Sequence, residues 1–143
     1  MAMKILLAVD GSACALRAVD HLIDHVSWFR DEPQINLVYV QPPIPVGRAL
    51  AHVSKETLHA HYLEEGREQL REAEARLAAA GRAFTPHIHV GQAAEDITHM
   101  AGELGCDLVV MGTHGRTGLS GLIAGSVATR VLHLAPCPVL LVK

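Results

Sequence analysis

Aromatic side chains and basic charge are both scarce in this sequence. The 143 residues include two Phe, two Tyr and one Trp, and the 15 acidic side chains outnumber the 12 Lys and Arg residues, which gives a formal charge of −3 at pH 7. Proteins that bind nucleic acid typically present a basic face, and those that bind single strands stack the bases on aromatic rings. The composition therefore argues against a nucleic-acid partner.

Disulfide frameworks and long apolar runs are also missing. The three cysteines, Cys14, Cys106 and Cys137, are widely spaced and odd in number, which favours reduced thiols in the cytoplasm. The first apolar run stops at Asp10 and is too short for a signal peptide, and no run reaches the length of a membrane span. We therefore expect a cytoplasmic protein that does not interact with a membrane.

Strands and helices are expected to alternate along the chain. Half of the residues are hydrophobic, which is enough for one folded domain over residues 1–143. Apolar runs between turn residues predict strands at residues 5–9, 35–40, 84–90, 108–111 and 138–142. Helical spacing, with Ser12 as an N-cap and Gly81 as a stop, predicts helices at residues 12–26, 54–80, 92–104 and about 121–134.

This alternation predicts an α/β fold, with an open, mostly parallel five-stranded sheet and helices on both faces. Pro86 lies inside the third strand, and proline within a sheet is confined to edge strands. The simplest strand order is then 3-2-1-4-5, a Rossmann-like arrangement. Its switch point lies between strands one and four, where open α/β sheets bind ligands beyond the carboxyl ends of the strands.

A glycine-rich segment follows the fourth strand. Residues 111–126 read MGTHGRTGLSGLIAGS and contain five glycines within fourteen residues. Glycine lets the backbone turn sharply and approach a ligand closely, and the free N–H groups of a following helix favour an anion. The segment therefore predicts a phosphate-binding loop at the same switch point, although a simple flexible turn is the alternative.

These motifs resemble the universal stress protein family. The family's nucleotide-binding pattern, Gly, two residues, Gly, nine residues, Gly and then Ser or Thr, is met by Gly112, Gly115, Gly125 and Ser126. The sequences at residues 9–12, 125–132 and 136–142 also match, so the resemblance covers the whole chain. Thr129 replaces an acidic residue common in the family. The resemblance implies an adenine nucleotide-binding domain that forms a cytoplasmic homodimer.

The resemblance also implies a set of nucleotide-binding residues. They are Asp10, Val40, Met111, Gly112, Gly115, Arg116, Gly125, Ser126 and Val127. The three glycines and Ser126 would contact phosphates, Asp10 would face the ribose or a Mg²⁺ ion, and the Val40 backbone would line the adenine. Arg116 is the only cation within the loop, which suits a phosphate contact. Two alternatives stay open, because Asp10 could simply cap the turn that follows it and His114 could face solvent.

Ten histidines invite a metal-site interpretation. The closely spaced pairs are His21 and His25, His59 and His61, and His87 and His89. None has a Cys or carboxylate nearby at a spacing typical of a structural metal site. We therefore expect Mg²⁺ carried by the triphosphate of ATP as the metal, with ADP or AMP as alternative resident nucleotides.

The leading functional hypothesis is an ATP-binding regulatory protein of the stress response, in which the nucleotide state controls conformation or partner choice. A slow ATPase or phosphoryl-transfer enzyme using the same site is one alternative, although the chain has no Walker lysine motif and no evident catalytic base. A nucleotide-independent interaction module is another. The apolar strand Val139–Val142 lacks charged residues that would deter edge pairing, which predicts a homodimer through that edge, the alternative being a loop that covers it.

Overall fold

The computed structural model describes residues 2–45, 47, 52–115 and 124–143. Within that part of the chain, strands and α-helices alternate, as the sequence predicts. The strands are β1 (Lys4–Ala8), β2 (Gln34–Gln41), β3 (Phe84–Val90), β4 (Leu108–Gly112) and β5 (Val139–Val142). The helices are α1 (Ala13–Asp24), α2 (Lys55–Ala79), α3 (Ala93–Glu103) and α4 (Ser126–Leu134).

All strand pairs are parallel, and the sheet has the order β3-β2-β1-β4-β5. The predicted fold class and strand order are therefore confirmed. Leu6 of β1 is in register with Asn36 of β2 on one side and with Val109 of β4 on the other. The switch point lies between β1 and β4, and β3, which contains Pro86, forms one edge.

Each face of the sheet is covered by two helices, because successive side chains of a strand point to opposite faces. On one face, β1 residues Ile5 and Leu7 pack in a buried cluster with side chains of α1 and α2. On the other face, Leu6 and Ala8 pack with α3 and α4. Both faces of β1 are thus buried, which explains why its apolar residues do not alternate with polar ones.

Local capping bonds fix the starts of two helices. The Ser12 hydroxyl accepts a hydrogen bond from the N–H of Ala15 at 3.1 Å, and the Ser54 hydroxyl accepts one from the N–H of Thr57 at 3.1 Å. Gly81 follows α2 with a φ of +71°, a conformation that favours glycine after a helix. The predicted N-cap at Ser12 and the predicted stop at Gly81 are confirmed, and Ser54 is a further N-cap.

The predicted start of the fourth helix is wrong. Helix α4 begins at Ser126 rather than near Gly121, and Gly125 is its N-cap with extended backbone (φ −72°, ψ 171°). Residues 121–123 lie outside the described part of the chain. The N–H of Gly125 donates to the carbonyl of Thr113 at 2.6 Å, which directs it away from a helical partner. Gly121 and Gly125 are also weak helix formers, which disfavours a start of α4 before Ser126.

Smaller differences concern α1 and β3. Helix α1 ends at Asp24 and is followed by a short 3-10 turn, Val26–Trp28, instead of continuing to Val26. On β3, Phe84 and Ile88 pack against the core, but Pro86 and Val90 are exposed. The alternation along this edge strand is therefore only partly reflected in its burial.

Helix α2 approaches β3 so closely that only glycine fits at residue 66. A Cβ atom there would lie 2.4 Å from Cγ2 of Ile88. We expect Gly66→Ala to destabilise the protein by about 1–3 kcal/mol through overpacking, although alanine normally favours a helix over glycine by roughly 1 kcal/mol. Equilibrium unfolding in urea measures the effect.

Gly102→Ala is the matched control, because residue 102 is also helical but its Cβ would lie 3.9 Å from the nearest atom, Cγ of Pro136. This variant should be neutral or slightly stabilising. Equal effects of the two substitutions would contradict the close packing of α2 on β3.

Candidate functional site

A cleft lies beyond the carboxyl ends of β1 and β4, at the switch point of the sheet. Eight of the nine predicted site residues line it, namely Asp10, Val40, Met111, Gly112, Gly115, Gly125, Ser126 and Val127. The ninth, Arg116, lies outside the described residues. The fold thus brings the predicted residues together, while their roles toward a nucleotide stay predictions.

The two ends of the glycine segment are held against each other. The N–H of Gly125 donates to the carbonyl of Thr113, and the side of Gly125 that a Cβ would occupy faces the Cα of His114 and the N of Gly115. Ser126 begins α4 directly beside them. Because the N-cap is glycine, it has no side chain of its own to cap the first N–H groups of α4, and the positive end of the helix dipole meets the cleft.

Asp10 connects the turn after β1 to this segment. Its Oδ1 accepts a hydrogen bond from the N–H of Ser12 at 2.9 Å, so Asp10 does cap the following turn, as the alternative interpretation expected. Its Oδ2 lies 2.7 Å from the position of a Cβ on Gly115. The carboxylate therefore has both a capping role and a place in the wall of the cleft.

Gly112 has a structural reason to be glycine that is independent of any ligand. A Cβ on this residue would lie 2.8 Å from Sγ of Cys14 and within 3.0 Å of the backbone C and O atoms of Cys14. The close approach of β4 to the start of α1 therefore leaves no room for a side chain at residue 112.

A hydrogen-bond network beneath the cleft joins α1, the end of β4 and the end of β5. The carbonyl of Val142 accepts from the N–H of Thr113 at 2.9 Å and from the thiol of Cys14 at 3.4 Å. The Thr113 hydroxyl lies 3.7 Å from Sγ of Cys14 and 3.1 Å from Nδ1 of His114. Burial raises the pKa of the Cys14 thiol, but hydrogen bonds from His114 and Thr113 outweigh that effect, so the pKa lies below its ordinary value.

The other end of the cleft is apolar. It is lined by Ala8, Val40, Ala93, Ile97 and Met111, which come from β1, β2, α3 and β4. The end of β2 is held in place because Gln41 donates from Nε2 to the carbonyl of Tyr62 at 2.7 Å, while its own carbonyl accepts from the N–H of Gly91 at 2.9 Å. This end suits a flat apolar ring that hydrogen-bonds to backbone groups.

The sequence interpretation missed several residues of the cleft wall. These are Ala8, Ala15, Ala93, Ile97, Thr113 and Ala128. All of them except Thr113 are apolar, and apolar side chains carry no chemical signature by which composition could single them out. A usable signal was the position of α3, whose first turn must lie at the carboxyl edge of the sheet because it follows β3.

An ion pair joins the two helices on this face of the sheet. Arg130 of α4 donates to the carboxylate of Glu95 of α3 and holds the pKa of that carboxyl below its ordinary value. Both side chains are largely solvent-exposed. The pair therefore helps to orient α4 without contributing a buried charge.

Within the described ranges, no three His, Cys, Asp or Glu side chains are grouped so that they could hold a metal ion together. A search of the same ranges finds no helix with the length and apolar character needed to cross a membrane. Any Mg²⁺ bound through Asp10 would therefore take its other ligands from outside this set of side chains, such as phosphates and water.

Comparison with known proteins decides the family. The family model described as the universal stress protein family matches residues 1–143. The chain belongs to the universal stress protein family. The resemblance seen in its sequence motifs is thereby confirmed over the full length of the chain.

Individual relatives agree with this assignment. Universal stress protein MJ0531 of Methanocaldococcus jannaschii is 35% identical over 140 residues, covering 98% of this chain and 81% of that protein. The solved structure of MJ0577, from the same organism, gives a TM-score of 0.81 at 28% identity and covers 100% of this chain and 96% of that one. A solved universal stress protein in complex with cAMP gives a TM-score of 0.71 at 26% identity, covering 99% and 97%.

The packing at residue 112 leads to a test without ligand. We expect Gly112→Ala to lower the free energy of unfolding of the nucleotide-free protein by about 1–3 kcal/mol, because the backbone of Cys14 cannot move aside as a flexible side chain can. Adding Cys14→Ala should not restore stability, since the backbone contacts remain. Thermal and urea unfolding measure both variants.

Gly47→Ala is a suitable control, because no atom of the described residues lies within 4 Å of the added Cβ. Unchanged stability of Gly112→Ala would show that glycine at residue 112 serves something other than this packing contact.

Proposed function

We propose that this universal stress protein binds an adenine nucleotide, ATP in its working state, in the cleft between β1 and β4, and that the bound nucleotide controls its conformation or its choice of partner. The observation that carries the proposal is the joining of Gly115, Gly125 and the start of α4 in one cleft with an apolar far end. A nucleotide has the same division into a polyanionic and an aromatic end.

The phosphate end of the proposed site is built from backbone. Gly115 and Gly125 have no side chains that would block the close approach of a phosphate. Ser126 and Val127 are the first two residues of α4, and their N–H groups are free of partners within the helix. The Ser126 hydroxyl adds a donor at the same point. These groups favour a polyanion without requiring a buried cationic side chain.

The base and ribose lie at the other end in this proposal. Val40, near the end of β2, lines the apolar end of the cleft, where its backbone can pair with an adenine edge. Ala93 and Ile97 pack against the adenine ring. Asp10 accepts hydrogen bonds from ribose hydroxyls or ligates Mg²⁺ on the phosphates. The binding of cAMP by the structural relative supports an adenine nucleotide as the ligand.

The regulatory role draws support from the network beneath the cleft. Thr113 lies in the cleft wall and donates its N–H to Val142 at the end of β5. A nucleotide that shifts the glycine segment therefore acts on a strand at the edge of the sheet.

Hydrolysis would additionally require charge stabilisation at the γ-phosphate, and Arg116, the side chain expected there, lies outside the described residues. Binding is therefore the core of the proposal.

Addition of ATP and Mg²⁺ should raise the melting temperature. At a hundredfold excess over the dissociation constant, ligand binding stabilises the native state by about 2.7 kcal/mol, which corresponds to a shift of several degrees for a domain of this size. Ser126→Asp should abolish the shift, because a negative charge at the first residue of α4 repels phosphate. The same charge favours the helix dipole, so the fold should stay stable.

Thr57→Asp is the matched control, since it adds the same charge to the exposed first turn of α2, which does not line the cleft. It should respond to ATP as the parent does. A full ATP response in Ser126→Asp would exclude the start of α4 from the phosphate site. Gly115→Val is a less direct probe, because its side chain would also displace Asp10.

We also propose that the protein forms a homodimer through β5. Among the described strands, β5 pairs with β4 alone, and its four apolar residues are all partly exposed. Val109 donates its N–H to Pro138 and Thr113 donates to Val142, so by alternation the backbone groups of Val139 and Leu141 face outward. These outward groups offer a partner strand its hydrogen bonds.

The three free thiols fit a cytoplasmic location.

Leu141→Pro tests this interface, because it removes an outward N–H while leaving the bonds to β4 intact. We expect the parent to sediment as a dimer at micromolar concentration and Leu141→Pro to sediment as a monomer with an unchanged fold. Leu141→Ala, which keeps the N–H, should still associate. A monomeric parent at this concentration would refute the dimer.

A further inference from the structure

Three aromatic side chains meet at the carboxyl end of α1, whereas the cleft lies at the beginning of that helix. The rings of His21 and His25 are stacked, with centroids 4.1 Å apart and planes inclined by 27°. The indole of Trp28 lies 4.3 Å from the ring of His25 and 5.6 Å from that of His21. Trp28 is 66% exposed, so the cluster is open to solvent.

The protonation pattern of His25 is set by its backbone partner. Nδ1 of His25 lies 2.7 Å from the carbonyl oxygen of His21. A carbonyl oxygen only accepts hydrogen bonds, so Nδ1 carries the proton and, in the neutral ring, Nε2 carries the lone pair. Metal-binding histidines are commonly oriented by such a bond from the other ring nitrogen to a backbone carbonyl.

We propose that His21 and His25 form a binding site for a divalent transition-metal ion of the copper, nickel and zinc class. Residues four apart on a helix lie on the same face, about 5–6 Å apart at Cβ. Two nitrogen ligands on one tetrahedral ion lie roughly 3.3 Å apart, given metal–nitrogen bonds of about 2.0–2.1 Å. The stack places both imidazoles side by side on one face of α1, and because each ring nitrogen holds its lone pair in the ring plane, the rings must turn out of the stack to direct one nitrogen each at the ion. Imidazole suits these ions.

Water completes the coordination in this proposal. Within the described residues no third His, Cys, Asp or Glu side chain joins the pair, so the site is of the open, two-ligand kind rather than a closed structural one. Its affinity should follow the general order for such ligands, with Cu²⁺ bound more tightly than Ni²⁺ or Zn²⁺. The site is separate from the proposed nucleotide cleft and does not depend on it.

The remaining histidine pairs are less suited to the same role. His87 and His89 lie two apart on β3, but Nε2 of His87 is 3.0 Å from Oδ1 of Asn36 and already has that partner. His59 and His61 lie two apart on α2, where residues at that spacing do not face each other. His21 and His25 combine helical spacing, ring proximity and a fixed tautomer.

Trp28 provides a direct test, because it is the single tryptophan of the chain and contacts the proposed site. Cu²⁺ is a paramagnetic quencher, so titration with copper chloride should give a saturable loss of Trp28 fluorescence. His21→Ala and His25→Ala should each weaken the apparent affinity at least about tenfold. Excess Zn²⁺, which does not quench, should shift the Cu²⁺ curve to higher concentration.

The double variant His87→Ala/His89→Ala is the matched control and should quench as the parent does. Equal quenching in a folded His21→Ala/His25→Ala variant, checked by circular dichroism, would overturn the proposal. The electron paramagnetic resonance spectrum is an independent measurement, since the Cu²⁺-loaded parent should show nitrogen hyperfine coupling from imidazole that the His21→Ala/His25→Ala variant loses. A spectrum with oxygen ligands alone would also overturn it.

Discussion

The hydrogen bond from the N–H of Gly125 to the carbonyl of Thr113 is the constraint on which the candidate site depends. It joins the two ends of the glycine-rich segment and places the start of α4 beside the carboxyl end of β4. Without it, the N–H groups of α4 and the backbone of Gly115 would have no fixed relation to each other.

The same part of the molecule links the cleft to the edge of the sheet. The carbonyl of Thr113 accepts a hydrogen bond from the N–H of Gly125, and its N–H donates to the carbonyl of Val142. One residue therefore contacts both the glycine segment and β5. Cys14 strengthens this connection from α1, since its thiol bonds to the carbonyl of Val142 and packs under Gly112. A change of shape in the cleft thus has a short covalent and hydrogen-bonded path to β5.

Much of the architecture could be predicted from the sequence because the signals are local. Pro86 marks an edge strand, the continuous apolar run of β1 marks a central one, and Ser12 caps α1 through a bond within three residues. The convergence of the predicted site residues in one cleft follows from strand order, which these local signals determine.

The features that sequence reasoning missed depend on contacts between distant residues. The start of α4 is set by the bond between Gly125 and Thr113, whereas the preceding residues read as compatible with a helix. Gly112 matches a phosphate-binding pattern, yet its contact with Cys14 gives it a packing role that no spacing rule contains. Likewise, Ala93 and Ile97 resemble ordinary core residues until α3 is placed over the cleft.

The position of Pro86 also limits how large an assembly of sheets can become. Gly91 donates its N–H to the carbonyl of Gln41 in β2, so by alternation the even-numbered residues of β3, including Pro86, turn their backbone outward. Proline has no N–H to offer a strand arriving on that side. Growth through strand edges is therefore one-sided, and copies joined through their C-terminal strands would form a closed pair rather than a fibre.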